Sequence, residues 1–145
     1  MLTHHSIARF SLALLCLLQG GTTVLIDLGR THASNPAWTA HARFHVVWQT
    51  MTVALLAVIE LILIFAPWPL ERQRFFLASM LALLPMIGFF AAFIGRSRYG
   101  GTLGDQNGMA PMVLKVGGRE RRVDLNLAME IVGICALATI VCLYG

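Results

Sequence analysis

The residues best suited to chemistry crowd into one short stretch of this sequence. Asp27 is followed by His32, and then by His41, Arg43, His45 and Gln49. His41, His45 and Gln49 recur every four residues, which sets them in one stripe on a helix. Two imidazoles at i and i+4 can hold a metal ion between their rings. The HExxH metalloprotease helix uses that spacing, although its glutamate is absent here. Asn126 and Glu130 form a second i, i+4 pair farther along. Imidazole with carboxylate suits zinc, iron, copper or manganese. Four-helix bundles assemble such sites from inward side chains on facing helices. The metal-ligand set this implies is His32, His41, His45 and Glu130. Without a metal, the same residues describe a proton-handling or ligand-binding site. His41, His45 and Asp27 would then exchange protons and Arg43 would hold an anionic group. Asn35, Trp38, Gln49 and Asn126 would make polar contacts. Structural capping is a third reading of the histidine pair.

The elements that must position these residues follow from composition. Hydrophobic residues make up 57% of the 145 and charged residues 12%, about half the charged share of a soluble domain. Four stretches, 10–26, 44–65, 75–94 and 125–143, are nearly free of charge. A helix needs about 20 apolar residues to cross the hydrocarbon core, and helices satisfy their own backbone groups in lipid. The sequence therefore predicts an all-α fold. It is a single four-helix transmembrane bundle over residues 1–145, with spans near 8–28, 42–66, 75–95 and 125–144. Arg9 before a short apolar run is a weak match to a cleaved leader, so the first stretch reads as a span. No nucleic-acid-reading motif accompanies the net charge of +4, and nucleic acid is not an expected partner.

Side A denotes the face holding both termini and side B the opposite face. Eight of the eleven basic residues flank side B: Arg30, Arg43, Arg96, Arg98, Lys115, Arg119, Arg121 and Arg122. Their excess predicts that the side-B loops, 29–40 and 96–124, are cytoplasmic in a bacterial inner membrane. In the longer loop, a glycine-rich run at 100–108 suggests turns. Two short strand-like runs around Gly117-Gly118 read as a β-hairpin that would lie over side B as a lid, with a plain solvated loop as the equal alternative. Thr39 and Asp124 are expected N-caps, and Asn35-Pro36 signals a turn. A fixed connection of this kind would hold His32 near His41 and His45. Gly20-Gly21, Pro85 and Gly88 suit close helix packing. Glu60 is expected to snorkel or to pair with Arg72 or Arg74. Cys16, Cys135 and Cys142 read as small apolar residues without a disulfide framework.

Residues 27–49 carry a resemblance. Asp27, Thr31-His32, Asn35-Pro36, Trp38, His41-Ala42-Arg43-Phe44-His45 and Gln49 resemble the signature of a family of small four-span membrane proteins of bacteria and fungi. That family has no established reaction. The resemblance implies that Asp27, His32, Asn35, Trp38, His41, Arg43 and His45 act as one unit. In size and span count the chain is also similar to the DoxX-like proteins and the anthrone oxygenases.

Three functions follow as expectations. One is a membrane oxidoreductase acting on a lipophilic substrate, with or without a transition metal. The second is a module that binds or transports a lipid or small metabolite. The third is an accessory subunit packing through Gly20-Gly21 in a homo- or hetero-oligomer. Membrane lipids are partners in each.

Overall fold

The computed structural model describes residues 3–104 and 108–145. Asp105, Gln106 and Asn107, part of the glycine-rich run expected to turn, lie outside the described residues. Four helices dominate: α1 (His4–Asp27), α2 (Ala40–Phe65), α3 (Glu71–Gly95) and α4 (Leu125–Tyr144). A single 3₁₀ turn, Arg96–Arg98, extends α3. All four helices are long and apolar enough to cross a membrane, as the charge-free stretches predict.

Their starts are set by local chemistry. Thr3 accepts a hydrogen bond from the Ser6 amide, Thr39 from Ala42 and Asp124 from Leu127, so each caps an otherwise orphaned N–H. The caps expected at Thr39 and Asp124 are thus present. α2 stops where Pro67 and Pro69 cannot continue it. The turn into α3 passes through Leu70, whose φ of 66° is left-handed.

Each helix packs beside its chain neighbours, and α4 returns to α1. This is the up-and-down order that short connections favour. The tightest packing lies in the side-A half. Ala8, Leu12, Cys16, Ile64, Phe75, Ala78, Ala82, Leu137, Ile140 and Tyr144 are buried there. Tyr144 stacks on Phe75 with ring centroids 3.8 Å apart, and the His5 ring meets its edge at 4.8 Å.

Between α3 and α4, strands β1 (Met112–Val116) and β2 (Arg119–Val123) pair antiparallel, with Val116 opposite Arg119. Gly117 and Gly118 form the two-residue connection with φ of 57° and 75°. Positive φ at both positions is what such a tight turn demands. The expected hairpin is therefore present, but it is not a packed lid. Its described strand side chains are exposed, except for half-buried Val123.

Candidate polar site at the side-B rim

Thr50 fixes how α1 and α2 meet at this rim. It is fully buried, and its hydroxyl lies 3.5 Å from Asp27 Oδ2 while donating to the Val46 carbonyl at 2.7 Å. The last residue of α1 is thus level with a point ten residues inside α2, and residues 28–39 must climb the difference. Backbone and side-chain bonds staple that climb. The Ala33 amide donates to the Asp27 carbonyl at 2.9 Å, Ser34 donates to Gly29 at 3.1 Å, and Asn35 to His32 at 2.9 Å. The Ser34 hydroxyl donates to the Leu28 carbonyl at 2.7 Å. Asn35 is buried, and its Oδ1 accepts from the Ala37 amide at 3.0 Å. This is the Asx-type turn that the Asn-Pro pair signals.

The stapled loop delivers His32 to Asp27. Nδ1 of His32 lies 3.9 Å from Asp27 Oδ1 and 2.9 Å from the Thr31 hydroxyl. The Trp38 ring closes edge-on over the imidazole at 5.3 Å between centroids. Asp27, Thr31, His32, Trp38 and Thr50 thus form one half-buried cluster with a carboxylate, an imidazole and two hydroxyls. Arg43 lies seven residues before Thr50, hence on the same face of α2. Its Nε is buried and has no hydrogen-bond partner among the described residues.

His41 and His45 belong elsewhere. They lie on the exposed stripe of α2 with Phe44, Trp48 and Gln49. Their Nε2 atoms are 3.1 Å apart and their rings stand at 82°. Trp48 approaches His45 at 5.9 Å between centroids. Asn126 and Glu130 lie on α4. Asn126 is exposed and borders an open pocket of about 220 Å³ with Phe89, Phe93, Arg96 and Tyr99. Glu130 is half-buried. Among the described residues, no three His, Cys, Asp or Glu side chains lie close enough to share a metal ion. The four expected ligands His32, His41, His45 and Glu130 therefore do not converge. Within that set the structure joins His41 with His45 and places His32 with Asp27 instead. The fixed connection is real, but it turns His32 inward while the pair on α2 faces outward.

Three further features escaped the sequence reading. Arg9 pairs with Glu71 at 3.0 Å and donates to the Ile64 carbonyl at 2.6 Å, tying α1 to the α2–α3 turn. Arg74 is buried and donates to the carbonyls of Leu63, Trp68 and Pro69. Glu60 is 1% exposed and faces Cys16, and among the described residues it makes no ion pair with Arg72 or Arg74. The signal for Arg74 was available: α2 ends in carbonyls that neither Pro67 nor Pro69 can satisfy. Nothing in the sequence pointed Glu60 at Cys16.

These elements define a four-helix bundle of membrane-spanning dimensions, with a polar cluster at one rim and an imidazole pair on its outer face. Comparison with family models, curated proteins and solved structures finds no match to this chain.

Proposed function

We propose that this protein is an integral membrane binding module that holds the oxygen-bearing polar end of a lipophilic molecule at side B. The observation that carries the reading is Arg43. A guanidinium nitrogen closed off from solvent without an acceptor among the described residues is costly unless a ligand supplies one. Below it, on the same face of α2, the Asp27–His32–Thr50 cluster offers both donors and acceptors. In this reading Arg43 grips a carboxylate- or phosphate-like group, and Asp27 with His32 meets a neighbouring hydroxyl or carbonyl. Asn35 and Trp38 hold the loop that carries His32. Residues 27–49 then work as the unit their resemblance implies, and the basic excess at side B makes that face cytoplasmic.

Mass spectrometry of organic extracts from the purified protein checks this. Wild type is expected to retain a specific amphiphile. Arg43→Ala and the double change Asp27→Asn, His32→Ala are expected to lose most of it while eluting as folded protein. Identical lipid profiles in all three would refute the binding reading.

A second reading rests on the outward pair. At zinc–nitrogen distances of about 2.0–2.1 Å, two imidazoles on a tetrahedral ion have nitrogens roughly 3.3 Å apart. His41 and His45 already stand at 3.1 Å. The pair is thus a two-donor chelate for zinc, copper, iron or manganese, with its other positions open. A metal-assisted oxidoreductase acting on a lipophilic substrate would be built on that ion. Elemental analysis after reconstitution should find near-stoichiometric metal in wild type and none in the His41→Ala, His45→Ala double variant. Equal content in both would remove the chelate.

A further inference from the structure

The β1–β2 hairpin is a folded element with nothing of its own to fold against. Its partners run in register from Met112 opposite Val123 to Val116 opposite Arg119. Met112, Val113 and Leu114 are 42%, 51% and 39% exposed, and every described side chain of β2 except Val123 is exposed. A lone two-stranded hairpin is marginal in water, and one that persists needs a third strand or a surface to pack on. Among the described residues, no buried core lies beneath this one.

Its attachment says which surface is in reach. Asp124 alone separates Val123 from the first residue of α4, which is long and apolar enough to span a bilayer. The base of the hairpin is therefore held at the level where α4 meets the headgroups. Each strand has five residues, about 17 Å at the usual rise. Lying flat, the hairpin stays within the headgroup region. Alternation along the strands gives it two faces. Met112, Leu114, Arg119, Arg121 and Val123 share one, and Val113, Lys115, Glu120 and Arg122 share the other. The first face has the composition of an interfacial segment: apolar side chains beside two arginines whose stems can lie along lipid while their heads reach phosphate.

Charge selects the kind of lipid. The strands hold Lys115, Arg119, Arg121 and Arg122 against the single acid Glu120. Glu120 lies 3.9 Å from Lys115 across the ladder, which leaves three arginines without an acidic partner on the hairpin. Exposed Arg96 and Arg98 follow α3 on the same side. Clustered basic residues beside a span favour anionic headgroups.

We propose that the hairpin is a lipid-binding surface element, lying flat among the headgroups of side B with Met112, Leu114 and Val123 toward the acyl layer, so that Arg119 and Arg121 on that face and Arg122 on the outer face are all within reach of anionic headgroups. This is independent of the Arg43 site, because the two share no residue.

The test uses the full-length protein in nanodiscs of phosphatidylcholine alone, or of phosphatidylcholine mixed with phosphatidylglycerol, and follows backbone amide exchange over residues 112–123. With three arginines engaged, exchange should be slower by at least about tenfold in the anionic discs. The protection should fade at high salt. It should also fade in the triple variant Arg119→Gln, Arg121→Gln, Arg122→Gln, whose bundle should melt like wild type. Equal exchange in the two lipids overturns the proposal whether that exchange is fast or slow. Fast exchange would mean an unsupported hairpin. Slow exchange would mean one stabilised without anionic lipid, by zwitterionic headgroups or by the protein itself. Protection that survives the triple variant also overturns it.

Discussion

Gly20→Ala will lower the unfolding temperature of the protein in detergent, and adding Ala57→Gly will restore most of the loss. A β-carbon placed on Gly20 would stand 2.7 Å from the Ala57 β-carbon, with the Ala54 and Val53 backbones just behind it. Both residues are buried, and both lie on helix backbone that cannot swing aside as a side-chain tip can. Overpacking of this sort typically costs about 1–3 kcal/mol. The cost should sit near the top of that range, because separating α1 from α2 here also disturbs Thr50 against Asp27 and Glu60 against Cys16. Moving the methyl from one helix to the other keeps the total volume, which explains the rescue. Gly21→Ala is the control: nothing lies within 4 Å of a β-carbon there, so its melting point should equal or exceed that of wild type, alanine being the better helix former. Gly20 is thus used inside the chain, and a contact with a larger complex through this pair would have Gly21 alone to offer. A Gly20→Ala protein as stable as wild type would show that the α1–α2 seam is looser than drawn.

The second large effect belongs to Arg74. The residue is 9% exposed, and its guanidinium donates to three carbonyls, Leu63, Trp68 and Pro69. Those carbonyls close a turn in which Pro67 and Pro69 have no N–H to give. Hydrogen bonds to a charged group contribute about 1.5–3 kcal/mol each, and buried acceptors left bare add a desolvation cost. The three share one side chain and are not additive. Arg74→Ala is therefore expected to cost about 3 kcal/mol or more. Arg74→Lys should recover less than half, because an ammonium is a point charge and cannot spread its donors across three directions as the planar fork does. Exposed Arg72, placed 5.8 Å from the Phe76 ring, can be changed to Ala with little effect. Denaturant titration in micelles reads all three variants. An Arg74→Ala midpoint within error of wild type would mean that the turn holds without its arginine.

What the sequence disclosed and what it hid divide along a physical line. The spans were legible because lipid demands about 20 uncharged residues, and the caps Thr39 and Asp124 because capping is a local bond. The hairpin was legible because two adjacent glycines between strand-like runs permit the positive φ that the turn needs. Helix ends were displaced where polar residues continue a helix beyond the hydrocarbon. α3 begins at Glu71, ahead of the expected 75, and α1 at His4, ahead of 8. Helix rotation was hidden. α2 is apolar on nearly every side below His45, and lipid is as apolar as a helix interface. Hydrophobicity therefore does not say which stripe faces in. Small and hydroxyl-bearing residues decide it instead: Thr50, Ala57 and Glu60 face α1, which turns His41, His45 and Gln49 outward. The spacing of the histidine pair was read correctly, and its direction could not be.

One consequence remains in the unequal helix lengths. At side A the ends of α2 and α4 lie at one depth, since Tyr144 stacks on Phe75 and the adjacent Arg74 donates to the Leu63 carbonyl, while α1 runs on past both. The 26 residues of α2 therefore exceed the 20 of α4 at the other rim. The surplus is residues 40–45, which carry His41, Arg43 and His45 and stand about 9 Å proud at the helical rise. What remains of α2, residues 46–65, matches α4 in length and in the thickness of the hydrocarbon. The rim is a step. Asp27 and Thr50 lie below its edge, the guanidinium above them, and the imidazoles on its outer wall among hydrated headgroups. Under the binding proposal, an amphiphile rising along α2 from the acyl layer would meet the carboxylate and buried hydroxyl before the residues of the step, and would be sorted by how far its polar end stands out of the membrane.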